Sequence, residues 1–171
     1  MKAIAGILFA LLSGSASMAQ NAPNHAATKP VTVTLINASG KTVGTALLSP
    51  APNGVRITLD IKSLPPGDHS IHIHQFAKCD PPNFTSAGAH FDGGGHAHEG
   101  HFAGDIPDFS LIVSPNGTAH VTTVAPNVTL GKDEHSVFNN GGTSIVIHAV
   151  ADPSSTAAPP RIACGVIVRP D

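Results

Sequence analysis

Residues 55–61 read Val-Arg-Ile-Thr-Leu-Asp-Ile, which sets Val55, Ile57, Leu59 and Ile61 on one face of an extended chain and Arg56, Thr58 and Asp60 on the other. Successive side chains of a strand point to opposite faces, so a strict period of two marks an antiparallel strand with one face buried and one in water. From Pro30 onward the same pattern of short extended runs recurs, at 31–36, 42–48, 55–61, 70–76, 109–113, 118–124, 144–150 and 161–169. Turn residues separate them, among them Asn37-Ala-Ser-Gly40, Leu64-Pro-Pro-Gly67 and Ser114-Pro-Asn-Gly117. No segment carries a sustained helical period. Eight short strands without a helix predict an all-β chain, folded as a sandwich or a closed antiparallel barrel.

The N-terminal residues stand apart from this pattern. Met1-Lys2 gives a positive start, residues 3–12 are small and apolar, and Ser17-Met18-Ala19 is a small-x-small site ahead of Gln20, the layout of a secretory signal. The apolar run falls short of the roughly 20 residues that span a bilayer. Residues 1–19 therefore read as a signal peptide, 20–29 as a flexible leader and 30–171 as one domain of a secreted or periplasmic protein. Losing Lys2 moves the formal charge from −2 to −3, and no basic stretch occurs anywhere. Nucleic acid and anionic membrane are thus poor partners for it. The absence of Trp and Tyr also removes the usual stacking platforms.

Cys79 and Cys164 are the whole cysteine inventory. In an oxidising compartment an even pair is most simply a disulfide, and two thiolate metal ligands are the alternative. Closing so long a loop would contribute on the order of 4 kcal/mol in the chain-entropy description.

The chemistry is concentrated in residues 69–105, which hold seven of the eleven histidines, one cysteine and a glycine-rich run. His72 and His74, two apart on a strand, point the same way and can grip one ion together. His90, His96, His98 and His101 follow on a glycine-rich segment, and His148 interrupts the apolar run of the seventh strand. Divalent copper favours tetragonal nitrogen ligation, and neutral imidazole suits copper and zinc alike. Residues 77–108 show no sustained strand or helix. A loop of that length inside a compact domain needs something to hold it, for which a disulfide and a metal ion are the two available means.

Six segments, Ile71-His-Ile-His-Gln-Phe76, Cys79, Thr85-Ser-Ala-Gly-Ala-His-Phe91, Ala103-Gly-Asp-Ile-Pro107, Ile145-Val-Ile-His148 and Arg161-Ile-Ala-Cys-Gly-Val-Ile167, occur in the order found in the secreted Cu,Zn superoxide dismutases, which the chain resembles over nearly all of 31–169. The resemblance implies an eight-stranded antiparallel Greek-key barrel, a sandwich-like architecture of which this enzyme is a standing example. It implies conversion of superoxide to oxygen and hydrogen peroxide by copper redox cycling. Copper would sit on His72, His74, His90 and His148, and zinc on His90, His98, His101 and Asp105, with His90 shared. Cys79 and Cys164 would be disulfide-bonded, Arg161 would dock superoxide, and Asp152 would link copper and zinc ligands from behind. Monomers and homodimers both fit such a barrel.

Two departures bear on function. The family carries a zinc-binding histidine three residues before the aspartate, where this chain has Phe102; His101 lies one residue earlier, and His96 can stand in for His98. Residues 149–163 are short and poor in charge where the family has a long charged loop that steers superoxide. These departures leave two other readings: a copper-only dismutase with a degenerate zinc site, and a non-catalytic periplasmic copper-binding protein.

Overall fold

The computed structural model describes residues 29–94, 102–107, 109–150 and 159–171. The expected signal peptide, and the leader apart from Lys29, lie outside them. The strands are β1 (Val31–Asn37), β2 (Thr42–Ala51), β3 (Gly54–Ile61), β4 (Gly67–His69), β5 (Ile71–His74), β6 (Leu111–Val113), β7 (Ala119–Ala125), β8 (Thr143–His148) and β9 (Arg161–Ile167). Among the described residues the helical elements are two single 3-10 turns, Thr85–Ala87 and Asn139–Gly141.

β1, β2 and β3 form a meander, β7 pairs with β3, and the β8–β9 pair returns beside β1, giving the order β5-β8-β9-β1-β2-β3-β7. A second ladder joins β4 to β6. Because β4 leads into β5 through Ser70 and β6 leads into β7 through the 114–117 turn, this ladder bridges the two edges of the seven-stranded sheet. The sheet thereby curls into the antiparallel Greek-key barrel, with its edge strands covered.

The expected strand 70–76 is the one most altered. It is two strands, because the chain changes partners at Ser70: His69 pairs with Leu111 of β6, whereas Ile71 pairs with Ile147 of β8. Such a partner switch turns a barrel corner. Pairing stops at His74 because the next two amides are taken by a loop, Gln75 N–H donating to Ala89 O (3.0 Å) and Phe76 N–H to Ala87 O (3.1 Å). β8 likewise ends at His148 and β9 at Ile167, short of the expected 150 and 169. β2 instead runs on through Pro50 and Ala51. Pro50 is tolerated because β1 begins opposite Leu48, leaving no strand on that side to receive an N–H. The turn that follows needs Gly54, at φ +124°, where a Cβ would run into the Ala125 carbonyl.

The period-two face of β3 is the core, with Val55, Ile57, Leu59 and Ile61 all at most 1% exposed. β8 is buried on both faces, which is why it reads as a continuous apolar run. Its inner face, Ile145 and Ile147, belongs to the barrel core; its outer face meets Phe84 and Ala87 from the 77–91 loop, together with Cys164 of β9. The Cys79–Cys164 disulfide, with Cα atoms 5.6 Å apart, pins that loop to the barrel wall and removes the thiolate-ligand alternative.

Phe84 is the large side chain of this outer layer and is fully buried. Phe84→Ala is expected to lower the unfolding free energy by about 3–5 kcal/mol, read from denaturant unfolding. A loss below about 1 kcal/mol would mean that the outer layer is not packed as described.

Candidate metal centre

On β5, Ile71 and Ile73 are buried in the core, so alternation turns His72 and His74 outward. On β8, Ile145 and Ile147 face inward and His148 outward, beside them. His90 arrives from the loop, placed by an antiparallel bridge to His74 and by the Phe91 N–H donating to Ile73 O at 2.8 Å. One ligand nitrogen from each of His72, His74, His90 and His148 lies within 4.8 Å of the other three. The His72 and His90 rings stack with centroids 4.1 Å apart.

The outer hydrogen bonds decide which nitrogen each ring offers. His74 Nδ1 donates to Gly88 O (3.0 Å), and His148 Nδ1 to Pro159 O (3.2 Å). His90 Nδ1 meets Asp105 Oδ1 at 2.7 Å. In all three the Nε2 lone pair is left for the centre. His72 is reversed, with its Nδ1 buried and without a hydrogen-bond partner. His74 Nε2 and His148 Nε2 stand 3.3 Å apart, two lone pairs turned toward each other. That arrangement is repulsive unless a cation lies between them, so an all-nitrogen copper site fits these residues. Carbonyl and carboxylate partners behind ligand histidines fix tautomer and ring orientation.

Burial opposes protonation of His72, His74 and His148. It pulls His72 and His74 from 6.5 to about 3 and His148 to about 4, with the neighbouring imidazoles adding to the effect. These three rings are therefore neutral, the form that binds a metal. Burial alone would raise the Asp105 carboxyl, but hydrogen bonds from His90 and from the Phe102 N–H (2.9 Å to Oδ2) overcome it and hold it below its ordinary value.

Arg161 is the register partner of His148 across the β8–β9 ladder. Its guanidinium is fixed by two 2.7 Å hydrogen bonds, from Nη1 to Phe84 O and from Nη2 to Gly88 O. Gly88 O thus serves both Arg161 and His74. A Cβ at position 88, at φ +79°, would lie 2.6 Å from the Phe76 ring. Sequence reasoning missed the Gly88 and Pro159 carbonyls, since a backbone acceptor carries no residue signature.

Of the expected zinc donors, His90 and Asp105 are brought together. A ring nitrogen and a carboxylate oxygen side by side are a combination zinc accepts. Phe102 contributes its N–H to Asp105 and sets its ring edge-on to His90, centroids 5.7 Å apart, as a wall rather than a ligand. His96, His98, His101 and Asp152 lie outside the described residues.

Comparison with known proteins agrees with this geometry. The family model for copper/zinc superoxide dismutase matches residues 42–167. "Superoxide dismutase [Cu-Zn] 2" of Aquifex aeolicus is 40% identical over 180 residues, covering 98% of this chain and 99% of that protein. Among solved structures, a SOD-like protein from Bacillus subtilis superposes with a TM-score of 0.70 at 31% identity, covering 80% of this chain and 97% of that one. The Cu/Zn superoxide dismutase of Brucella abortus gives 0.64 at 30% identity, covering 81% and 99%. A family match across most of the barrel, joined to a four-histidine cluster and the Cys79–Cys164 disulfide, places this chain in the copper/zinc superoxide dismutase family.

Proposed function

We propose that this protein is a periplasmic or secreted superoxide dismutase, with copper held by His72, His74, His90 and His148 and zinc by His90, His98, His101 and Asp105. The observation that carries the reading is the convergence of four imidazoles beside a fixed guanidinium. A metal buffer would need the guanidinium only to seat the 77–91 loop, whereas a dismutase also uses its charge to draw in an anion. The signal-like 1–19 segment and the disulfide support an oxidising compartment.

Bound copper would supply the one-electron chemistry by which one superoxide is oxidised to oxygen and another, taking up two protons, is reduced to hydrogen peroxide. The chain's own residues do the rest. Arg161 remains a cation, since guanidinium does not deprotonate in proteins even where burial lowers its pKa. Two of its N–H groups are spent on Phe84 and Gly88, so the fork is rigid and the charge stands beside His148, ready to attract and orient a small anion. Carbonyls behind His74 and His148, and Asp105 behind His90, keep the imidazoles aimed inward. Asp152 would provide the acidic link between the two metal sites. Zinc, with no accessible redox change, would act structurally, held by His90 and Asp105 in place of the hydrogen bond they share without it. Residues 149–163 bring few charges, so attraction rests mainly on Arg161.

Superoxide decay with copper-loaded mature protein tests this, recorded with and without zinc. Fast decay that zinc improves is expected. Fast decay indifferent to zinc would make the protein a copper-only dismutase; copper bound with no decay would make it a copper-binding protein.

Arg161→Ala is expected to slow decay by about 10- to 100-fold with copper retained. An unchanged rate would remove the docking role.

The metal-free protein should be acid-sensitive in a defined window. In the folded state His72, His74 and His148 stay neutral to about pH 3–4, whereas the unfolded chain takes up these protons near 6.5. Their contribution is complete above about pH 6.5 and is lost progressively as pH falls towards the folded values. A lower denaturation midpoint at about pH 4.5 than at about pH 7.5 is expected, and equal midpoints would contradict a buried neutral cluster.

A further inference from the structure

Pro159 and Pro160 stand directly before Arg161, where β9 begins. Both of their carbonyls are used on the end of β8: Pro159 O accepts from His148 Nδ1 at 3.2 Å, and Pro160 O accepts the Ala149 N–H at 2.8 Å. Neither proline has an N–H of its own, so this stretch offers acceptors and no backbone donor. A ring nitrogen that faces it is held as Nδ1–H, which leaves Nε2 of His148 for the centre. Pro159 is half-buried and Pro160 exposed, so packing in the core does not account for the pair.

The end of β8 needs such support. Ile147 pairs with Ala163 of β9, but His148 pairs with Arg161, so Ile162 is an extra residue on β9 and the register shifts there. An extra residue of this kind disrupts the ladder locally, and it does so at the residue that carries a cluster imidazole. Beyond the break, the proline carbonyls take over from the ladder. Proline fixes φ near −65°, and the residue before a proline is kept out of the helical region. Pro159 is therefore restricted twice, by its own ring and by Pro160. The two carbonyls are set in spacing and direction before β8 meets them, and the same stiff pair delivers Arg161 to its place opposite His148.

We propose that Pro159-Pro160 is a positioning element of the metal centre, whose stiffness, beyond the two carbonyls it presents, sets His148 and Arg161 relative to each other. This rests on His148 being a copper ligand. Any residue type offers a carbonyl, so replacing the prolines leaves both acceptors in place and removes only the restriction. In a compatible backbone that restriction shifts the balance between ordered and open chain by about 2- to 5-fold per proline, hence about 4- to 25-fold for the pair. Because the pair acts through His148, its loss must appear in the copper coordination itself and not only in stability.

The test compares Pro159→Ala/Pro160→Ala and Pro159→Gly/Pro160→Gly with Pro52→Ala, which changes an exposed proline of the β2–β3 turn. Hydrogen exchange of the Ala149 amide is read from 1H–15N spectra of the metal-free protein, and the Cu(II) paramagnetic resonance spectrum from the copper-loaded one. Exchange about 4- to 25-fold faster is expected in the alanine pair and faster still in the glycine pair, since glycine is the freer residue. Both pairs should also show a broadened copper spectrum, against an unmutated spectrum in Pro52→Ala. An unmutated copper spectrum in the glycine pair, or unchanged Ala149 exchange, would overturn the proposal, as would an equal change in Pro52→Ala. Independently of any variant's folding, the Ala149 amide of the unmutated protein should exchange slowly, and fast exchange there overturns it. Failure of the unmutated protein to take up copper would sink the metal reading and this inference together, whereas normal uptake with unaltered proline variants sinks this inference alone.

Discussion

The carbonyl oxygen of Gly88 accepts two hydrogen bonds, one from His74 of the cluster and one from Arg161. Those two side chains come from strands at separate places in the sequence, and the acceptor comes from the loop that follows β5. The shared oxygen therefore ties three things together: the orientation of a cluster imidazole, the position of the Arg161 guanidinium, and the seat of the 77–91 loop on the barrel wall. Position 88 sits at φ +79°, a conformation that favours glycine, and a side chain there would also have to displace the Phe76 ring.

The barrel makes this possible by placing outward-facing residues where they can be covered. β8 buries Ile145 and Ile147 inside the barrel and Val146 beneath Phe84 and Cys164 outside it. A strand sandwiched in this way excludes water from its outer face, and His148 sits at its end. The low pKa values of His72, His74 and His148 follow from the same covering, because desolvation penalises the charged ring. Packing thus prepares the imidazoles chemically. Solvated histidines would take up protons at mildly acidic pH, whereas His72, His74 and His148 do so only well below it.

Much of this arrangement was legible in the residues. The alternation in 55–61 marks the core face of β3, and the His-x-His spacing on a strand brings His72 and His74 to one side. The lone histidine in the apolar run of β8 marks His148. Side-chain periodicity is local, so a single sequence carries it. What could not be read is held by the backbone. The break at Ser70 comes from a change of partner between β6 and β8, a property of the closed sheet that no local pattern encodes. Pro50 looks like a strand stop until the neighbouring strand is known to begin too late to need its N–H. The carbonyls of Gly88 and Pro159 orient His74 and His148, yet any residue type supplies a carbonyl. Asp105 was expected to stand beside His90, as it does, but its second oxygen is held by the amide of Phe102, a service that residue can give whatever its side chain.

That last contact bears on why this chain can carry phenylalanine where the family places a zinc-binding histidine. His72, His74 and His148 stand on strands, and His90 is locked to β5 by its bridge to His74 and by the Phe91–Ile73 hydrogen bond. The geometry of the copper half is therefore a by-product of barrel folding, paid for by the core. The zinc half is different in kind. Of its expected donors, only His90 and Asp105 fall on described residues, and their 2.7 Å contact with the Phe102 amide behind it already holds the outer nitrogen of His90 in place. A carboxylate–imidazole pair of this sort does part of what a second metal would do for His90, which is to fix the ring plane and aim its free nitrogen. Substitution at position 102 removes a ligand but keeps the amide and adds an apolar wall against His90. The orientation of His90 is thereby held by Asp105 and the Phe102 amide, independently of the side chain at position 102.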